Sequence, residues 1–264
     1  MITPEKIQEN YKEYVKLVNE NFTGERLQLL QSINNELEDR LIIAPASPKD
    51  WNNNAFVGGY LDHILRVNKV ANQLYKLYNF HGGNTSNYTL EELNFVSLYG
   101  QLGKVGDREN DYLQPNDSDW HIKNMGMVYK YNPNIDAMKI YDRTIFLLQD
   151  YGVKISQNEY IAIRTQEGLY DDSNKFYYYS GQKETKLRNH LPLLLHHAIQ
   201  ISQEVEFEIW NINHTPVATT FKPANATKAD KGLRKAKAIN MESHPQFSDK
   251  TKSIIDSFFN NDEE

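Results

Sequence analysis

The chain has 264 residues, 39% of them hydrophobic and 24% charged, and a formal net charge of −6. These values are typical of a soluble globular protein with one large domain, or one domain and an appendage, and the negative charge disfavours broad binding of nucleic-acid phosphates. The lack of Cys excludes disulfides and thiolate metal sites, and no apolar run is long enough for a membrane span. Because the N-terminus lacks the pattern of a signal peptide, we expect a cytoplasmic location.

The N-terminal residues 1–42 predict two helices. Thr3 and Pro4 are typical of a helix start, and apolar residues recur at helical spacing as far as residue 21. A second apolar stripe predicts a helix over 24–41, which the Pro-containing segment 44–48 ends.

The middle of the chain predicts further helices on both sides of a long loop. A wide apolar face predicts a helix over 59–78, and Thr89 and Glu92 have the spacing of a capping box that opens the next helix. The polar, Pro-containing residues 106–136 predict a long ordered loop, a feature that is usually functional. Later segments are predicted as helices over 141–151, 156–166 and 186–204, with a small hairpin at 176–179.

Two segments carry the most informative pattern. Residues 58–63, Gly-Gly-Tyr-Leu-Asp-His, open an apolar helix, and residues 98–107, Leu-Tyr-Gly-Gln-Leu-Gly-Lys-Val-Gly-Asp, follow one helix later. Together they resemble the start of an HD-domain metal phosphohydrolase, particularly the form carried by tailed phages. The resemblance implies an all-α, HD-like helical bundle over residues 1–204, with the family core at 43–204. Further segments that resemble the phage form are 115–121, Asp142-Arg143 and 168–171.

The family's metal ligands are mostly replaced in this chain. The family holds its metal with a His on the first helix, a His-Asp pair on the next helix and a distant Asp. His63 matches the first position, whereas the pair falls on Gly100 and Gln101 and the distant Asp on Ile199. Gln166 stands where the phage form carries a further His. Because stable metal sites need several convergent ligands, the resemblance implies a scaffold without metal or cofactor.

Other polar residues are candidates for a retained pocket near the ancestral site, because binding groups tend to lie on loops over rigid helices. Several cations are also candidates for an anion-binding lining that would take a nucleotide. The alternatives are that Asp142 only caps its helix and that the cations are separate surface charges. The pocket candidates are Asp107, Asp117, His121, Asp142 and Arg143, and the anion-lining candidates are Lys104, Arg143, Lys175 and Arg188.

The pattern changes after residue 204. Residues 205–210 alternate strictly between polar and apolar, which predicts either a strand or the end of the preceding helix. We assign 205–246 to an extended segment and a basic linker, because 222–237 carries six Lys or Arg against one Asp. The chain closes with the acidic residues 262–264. A basic block followed by an acidic one near a C-terminus is typical of a flexible arm that has a binding partner.

The last segment, 247–264, combines large apolar residues with acids. It resembles the C-terminal peptides with which T4-type phage proteins dock on the sliding clamp in replication and late transcription. A tethered helix that inserts apolar anchors into a groove is a common recognition mode, and the alternative is a terminal helix that packs on its own domain. The predicted partner-binding residues are Ile254, Ile255, Asp256, Phe258 and Phe259.

Two functions compete on these observations. In the first, the protein is a pseudoenzyme, not an enzyme, and acts in the host cytoplasm as a binding or adaptor module of phage replication or transcription, with a nucleotide as a further ligand. In the second, it hydrolyses nucleotides or phosphodiesters, with His63 joined by groups such as Asp107, His121 or His197. The first is favoured because a metal-activated water is the centre of the family's chemistry.

Overall fold

A computed structural model describes residues 2–179 and 186–214. In these ranges the chain is mostly helical with one small antiparallel sheet, which confirms the predicted helical fold. None of the described helices is long and apolar enough to cross a membrane. The elements are α1 (Pro4–Asn21), α2 (Gly24–Glu36), α3 (Glu38–Ile43), α4 (Gly59–Phe80), α5 (Leu90–Tyr99), β1 (Leu113–Pro115), α6 (Asp119–Met125), β2 (Tyr129–Tyr131), α7 (Ile140–Asp150), α8 (Gln157–Arg164), α9 (Lys175–Tyr178) and α10 (Leu191–His214).

Local capping signals place several helix starts where the sequence predicts them. The Thr3 hydroxyl accepts a hydrogen bond from the Lys6 amide at 3.3 Å, and α1 begins at the next residue, Pro4. Thr89 and Glu92 form the predicted capping box of α5, with both reciprocal bonds present. The helix predicted over 24–41 is divided, because the backbone leaves helical geometry at the buried Leu37 and α3 starts after it.

Helix α4 lies at the centre of the fold, where it packs against α1, α3, α5 and α10. Aromatic rings fill the core between α1 and α5: Phe95 and Tyr99 stack at 5.8 Å, and Phe22 meets Phe95 edge-on at 6.2 Å. The hydroxyls of Tyr14 and Tyr99 both donate to the Asn34 side-chain oxygen, at 3.3 and 3.1 Å. These buried hydroxyls are therefore satisfied without water.

The predicted long loop contains short elements of its own. Strands β1 and β2 pair antiparallel, with Leu113 opposite Tyr131, and α6 lies between them. The hairpin predicted at 176–179 is wrong, since this segment forms the short helix α9. Its Tyr178 hydroxyl donates to the Thr165 carbonyl at 3.1 Å, and this bond holds the turn against the end of α8.

Helix α10 begins at Leu191 and continues to His214, ten residues beyond the predicted end. The prediction of an extended segment from 205 is therefore wrong for 205–214, and the predicted boundary at 204 falls within a helix. The cause is that Ser202 and Glu206 extend the buried face at helical spacing. The basic linker and the predicted tail anchors lie outside the described residues.

Candidate functional site

His63 lies on the second turn of α4 and is completely buried. Its Nδ1 is 3.0 Å from both carboxylate oxygens of Glu206 on α10, and its Nε2 is 3.2 Å from the side-chain nitrogen of Gln101. Because an ionised carboxylate only accepts hydrogen bonds, Nδ1 carries the proton and donates it. In the neutral ring Nε2 then accepts from the Gln101 amide, so that both ring nitrogens are bonded.

The Glu206 carboxylate also meets a cation. Arg66, one turn after His63 on α4, donates from Nε to Glu206 at 3.2 Å and from Nη2 to Asp62 at 3.4 Å. Asp62 accepts further bonds from Asn10 at 3.2 Å and from Asn54 at 2.9 Å. The network joins α1, α4, α10 and the loop before α4, and it supplies the pairing that a buried carboxylate needs.

The backbone at Gly100 leaves no room for a ligand side chain. A Cβ atom added there would lie 2.2 Å from the Val96 carbonyl oxygen, well inside contact distance. The buried Gln166 donates from its side-chain nitrogen to the Gly100 carbonyl at 2.9 Å. Gly100 is the position where the HD-domain resemblance expects the His of the His-Asp pair. The backbone and the Gln166 amide therefore leave no space there for a ligand side chain.

The carboxylate from α10 comes from Glu206 and not from position 199. Ile199 belongs to the apolar core, about two helical turns before Glu206 on the same helix. Glu206 is not among the predicted site residues, because the alternation of residues 205–210 fits a strand as well as the end of a helix. The helical spacing of Leu195, Ile199, Ser202 and Glu206 is the signal that identifies it.

Lys104, one of the predicted anion-lining residues, interacts electrostatically with Glu206 of this cluster. It ends the short 3-10 helix Leu102–Lys104 and is partly buried. Burial lowers the pKa of its ammonium group, and the carboxylates of Glu167 and Glu206 oppose that shift. Its ammonium forms no hydrogen bond or ion pair with another residue of the described ranges.

Three of the predicted pocket residues lie at or near the surface, whereas His63 is buried. Asp107 is partly buried and accepts bonds from the amides of the two turn residues Glu109 and Asn110 at 2.8 and 2.7 Å. Asp117 is exposed and binds the Lys130 ammonium at 2.8 Å, a bond that lowers the pKa of its carboxyl. The exposed His121 ring has one hydrogen-bond partner among the described residues, the Ser118 hydroxyl at 2.7 Å.

The other predicted cations and Asp142 have unrelated surroundings. Asp142 is exposed in the first turn of α7 and does not cap it, because Lys139 holds the cap position. Lys175 is exposed and pairs with Asp172 at 2.9 Å, and Arg188 is exposed before α10. Arg143 is buried, so the structure does not support one lining built from all four cations.

No group of three His, Asp or Glu side chains within residues 2–179 and 186–214 is placed to hold a metal ion. Asp107, His121 and His197 therefore do not form such a group with His63. His197 is exposed, while the partly buried His196 donates from Nδ1 to the Gln166 carbonyl at 2.8 Å. The two adjacent side chains thus have different surroundings, as expected for neighbouring positions of a helix.

A groove of about 1100 Å³ lies between α1 and α4, and part of its wall comes from the network around His63. Of the described residues, six cationic and three acidic ones line it, in a chain where acids outnumber cations by 35 to 29. Lys12, Lys69 and Lys76 on its rim form no ion pair with another described residue. Buried amides form its floor, where Asn68 donates to Asn94 at 2.9 Å.

Comparison of the chain with protein-family models, with curated proteins and with solved structures finds no match. The HD-domain resemblance and the activity that it implies thus stay predictions from the residues quoted above.

Proposed function

We propose that this protein is a catalytically inactive relative of the HD-domain phosphohydrolases. In this proposal it works as a binding and adaptor module in phage replication or transcription. The observation that carries the proposal is the bonding of His63. Both of its ring nitrogens are occupied, by Glu206 and by Gln101, and all three side chains are buried.

This arrangement opposes hydrolysis by metal-activated water. Such catalysis needs several metal ligands, an open coordination position and access for the substrate. Here Arg66 supplies the positive charge that balances Glu206, and a glycine without room for a side chain follows α5. The former metal centre thus acts as an internal polar connection between α4 and α10.

The groove between α1 and α4 is the surface that we assign to a protein partner. Its rim carries Lys12, Lys69 and Lys76 without carboxylate partners, so an acidic segment gains charge complementarity there. Its partly buried Leu17 and Leu65 offer apolar contact beside the amide floor. An acidic helix with apolar residues on one face suits this combination.

The predicted tail gives the module a second contact. Its apolar and acidic residues are those that we expect to dock on a sliding clamp or polymerase, and they lie outside the described ranges. A protein that holds one partner in its groove and another through its tail links the two, which is the role of an adaptor.

A residual phosphohydrolase is the second candidate, and one contact favours it. A metal-binding His usually donates its other ring N–H to a carboxylate, and His63 donates to Glu206 in this way. In that reading Gln101 would move aside and Nε2 would bind the ion.

Metal analysis and activity assays on the full-length protein separate the two candidates. We expect no stoichiometric Mn, Fe, Ni or Zn, and no hydrolysis of deoxynucleoside triphosphates, cyclic nucleotides or model phosphodiesters. Near one equivalent of a transition ion, lost together with activity in His63→Ala, would overturn the proposal. Because that variant removes a buried bond, its folding is checked by circular dichroism.

The adaptor role is tested by capture of partners from phage-infected cells. Lys69→Glu with Lys76→Glu should release one set of captured proteins, and truncation after Gln246 should release a different set. Lys154→Glu with Lys186→Glu is the matched control, since both of these lysines are exposed outside the groove. Identical capture by all forms contradicts the adaptor role.

A further inference from the structure

A cavity of about 550 Å³ lies between the chain that follows β2 and the start of α7. It is separate from the buried His63 network and from the groove between α1 and α4, and the function proposed above does not use it. Most of its accessible wall is apolar. The lining residues that carry the argument are Tyr112, Tyr131, Ile135, Met138 and Arg143.

Arg143 is the buried cation of this cavity, and the buried Asn132 also lines it. Only 3% of the residue is exposed, and burial lowers the pKa of its guanidinium. Nη2 donates to the Asp136 carbonyl, whereas the Nε–H is shielded from solvent and meets no acceptor in the part of the chain that the structure describes. Because the Nε–H is shielded, a ligand in the cavity meets the guanidinium through its other N–H groups, and Arg143 lines the cavity wall. A carbonyl that accepts there forms a hydrogen bond to a charged donor.

The backbone around Arg143 is held closely. The Gly103 amide donates to the Thr144 hydroxyl at 2.9 Å. A Cβ atom on Gly103 would lie 2.5 Å from the Ile140 carbonyl oxygen and 3.0 Å from the Arg143 Cβ, so this contact requires glycine. Arg143 therefore stands on a rigid element, which is the arrangement that a specific binding site needs.

Aromatic rings form one side of the cavity. Tyr112 and Tyr131 meet edge-on, with their ring centres 5.4 Å apart, and the Arg143 guanidinium lies 5.4 Å from the centre of the Tyr112 ring. Burial raises the pKa of Tyr112 to about 12, so its hydroxyl is neutral. Two tyrosines with the apolar Ile135 and Met138 suit a flat aromatic ring, because such rings stack and pack at these distances.

The charges around Arg143 disfavour an anionic ligand. The carboxylates of Asp107 and Asp136 act on the guanidinium and stabilise its charged form. The other lining cation, Lys139, is already bound to Asp171 at 2.7 Å. A carboxylate or phosphate entering here would meet two acids beside one cation, whereas a neutral carbonyl accepts from Arg143 without that repulsion.

We propose that this cavity binds an uncharged, flat aromatic molecule that carries a carbonyl acceptor, with Arg143 as the hydrogen-bond donor and Tyr131 as a ring contact. Of the predicted pocket and anion-lining residues, Arg143 is the one that lines this cavity.

Three probes of similar size test the ligand class on the full-length protein by saturation-transfer NMR and calorimetry. Quinazolin-4-one carries the ring carbonyl, quinazoline lacks it, and 2-naphthoate carries a negative charge. Quinazolin-4-one should bind saturably and roughly tenfold more tightly than quinazoline, the effect of one hydrogen bond to a charged donor. Absence of saturable binding, equal binding of quinazoline, or tighter binding of 2-naphthoate each overturns the proposal.

Two variants test the site itself. Arg143→Gln should remove the preference for quinazolin-4-one over quinazoline, and Tyr131→Ala should weaken both compounds. Tyr131 is 56% exposed, so its variant folds even if the buried Arg143→Gln does not. Tyr160→Ala is the control, since Tyr160 is also exposed and lies on α8 outside the cavity. Unchanged binding in Tyr131→Ala, or equal loss in Tyr160→Ala, places the ligand elsewhere.

Discussion

His63 and Glu206 stand 143 positions apart in the chain, and their side chains meet at 3.0 Å. The contact fixes α10 against α4 at the centre of the fold, where α4 also packs against α1 and α5. Polar groups in such a place are stable only when every partner is present. The pair thus links the stability of the domain to a buried polar contact between α4 and α10.

Removing the carboxylate should therefore unfold the protein more easily. We expect Glu206→Ala to lower the free energy of unfolding by about 3 kcal/mol, because it leaves the His63 Nδ1–H and the Arg66 Nε–H without their acceptor. The value lies at the lower end of the usual range since Arg66 is partly exposed and water replaces part of its bond. Urea denaturation measures the change.

Glu208→Ala is the control for this substitution. Glu208 lies on the same helix and is exposed, so its removal should change stability by less than about 0.5 kcal/mol. Equal losses in the two variants would mean that helix propensity, and not the buried network, determines the effect.

The fold was predictable where the signals are local, and the site was not. Thr3, Thr89 and Glu92 act through neighbouring amides, so their spacing alone locates the starts of α1 and α5. Glu206 acts through residues on another helix, and nothing in its immediate sequence reveals them. Glu206 lies on the buried face because α10 continues past residue 204. The alternating residues 205–210 fit a strand equally well, so they do not indicate that continuation.

The close packing around Gly100 is a second feature that depends on the fold and not on the local sequence. Gly100 was predicted as the empty position of a ligand, but the backbone there excludes any side chain. We expect Gly100→Ala to destabilise the domain by about 3 kcal/mol, because its Cβ would displace the Val96 carbonyl at the end of α5. Thermal and urea unfolding would both report this change.

Gly24→Ala is the comparison for Gly100→Ala. Among the described residues, the neighbours of Gly24 leave the space around an added Cβ open to 4 Å, so the φ of 60° at Gly24 is what opposes alanine, at about 1 kcal/mol. If Gly100→Ala costs less stability than Gly24→Ala, the close approach of the Val96 carbonyl to Gly100 is contradicted.

Asp171 should make stability depend on pH. Its carboxylate binds the Lys139 ammonium at 2.7 Å and the Tyr141 hydroxyl at 2.6 Å, and these bonds hold its pKa well below the ordinary value. The ionised form is thus favoured in the folded state. Its contribution is complete above the pKa that Asp has when unfolded, about 3.9, and is lost as pH falls through the lower folded value.

Asp171→Asn should accordingly cost roughly 1.5–3 kcal/mol at pH 7, and the difference from the wild type should shrink as the pH falls below about 4. Urea titrations at pH 7 and pH 3 measure it. Asp172→Asn is the matched control, because the adjacent carboxylate is 88% exposed and its pair with Lys175 contributes little. A difference between Asp171→Asn and the wild type that grows in acid contradicts the assignment.

The last prediction concerns the C-terminal tail. If Phe258 and Phe259 are docking anchors, their joint replacement by Ala should weaken partner binding by roughly 2–4 kcal/mol, because buried aromatic anchors dominate such contacts. That loss is enough to abolish a complex of about micromolar affinity. The melting temperature should stay unchanged, since a tethered tail contributes little to the core.

The control for the tail is a second double substitution, Phe80→Ala with Phe146→Ala. These rings are 84% and 53% exposed on the domain surface, so their removal tests whether any loss of exposed aromatic area weakens capture. Capture of the partner and thermal unfolding are measured on the same preparations. If the tail variant melts at a clearly lower temperature and keeps its partners, the tail packs on its own domain and is not a docking peptide.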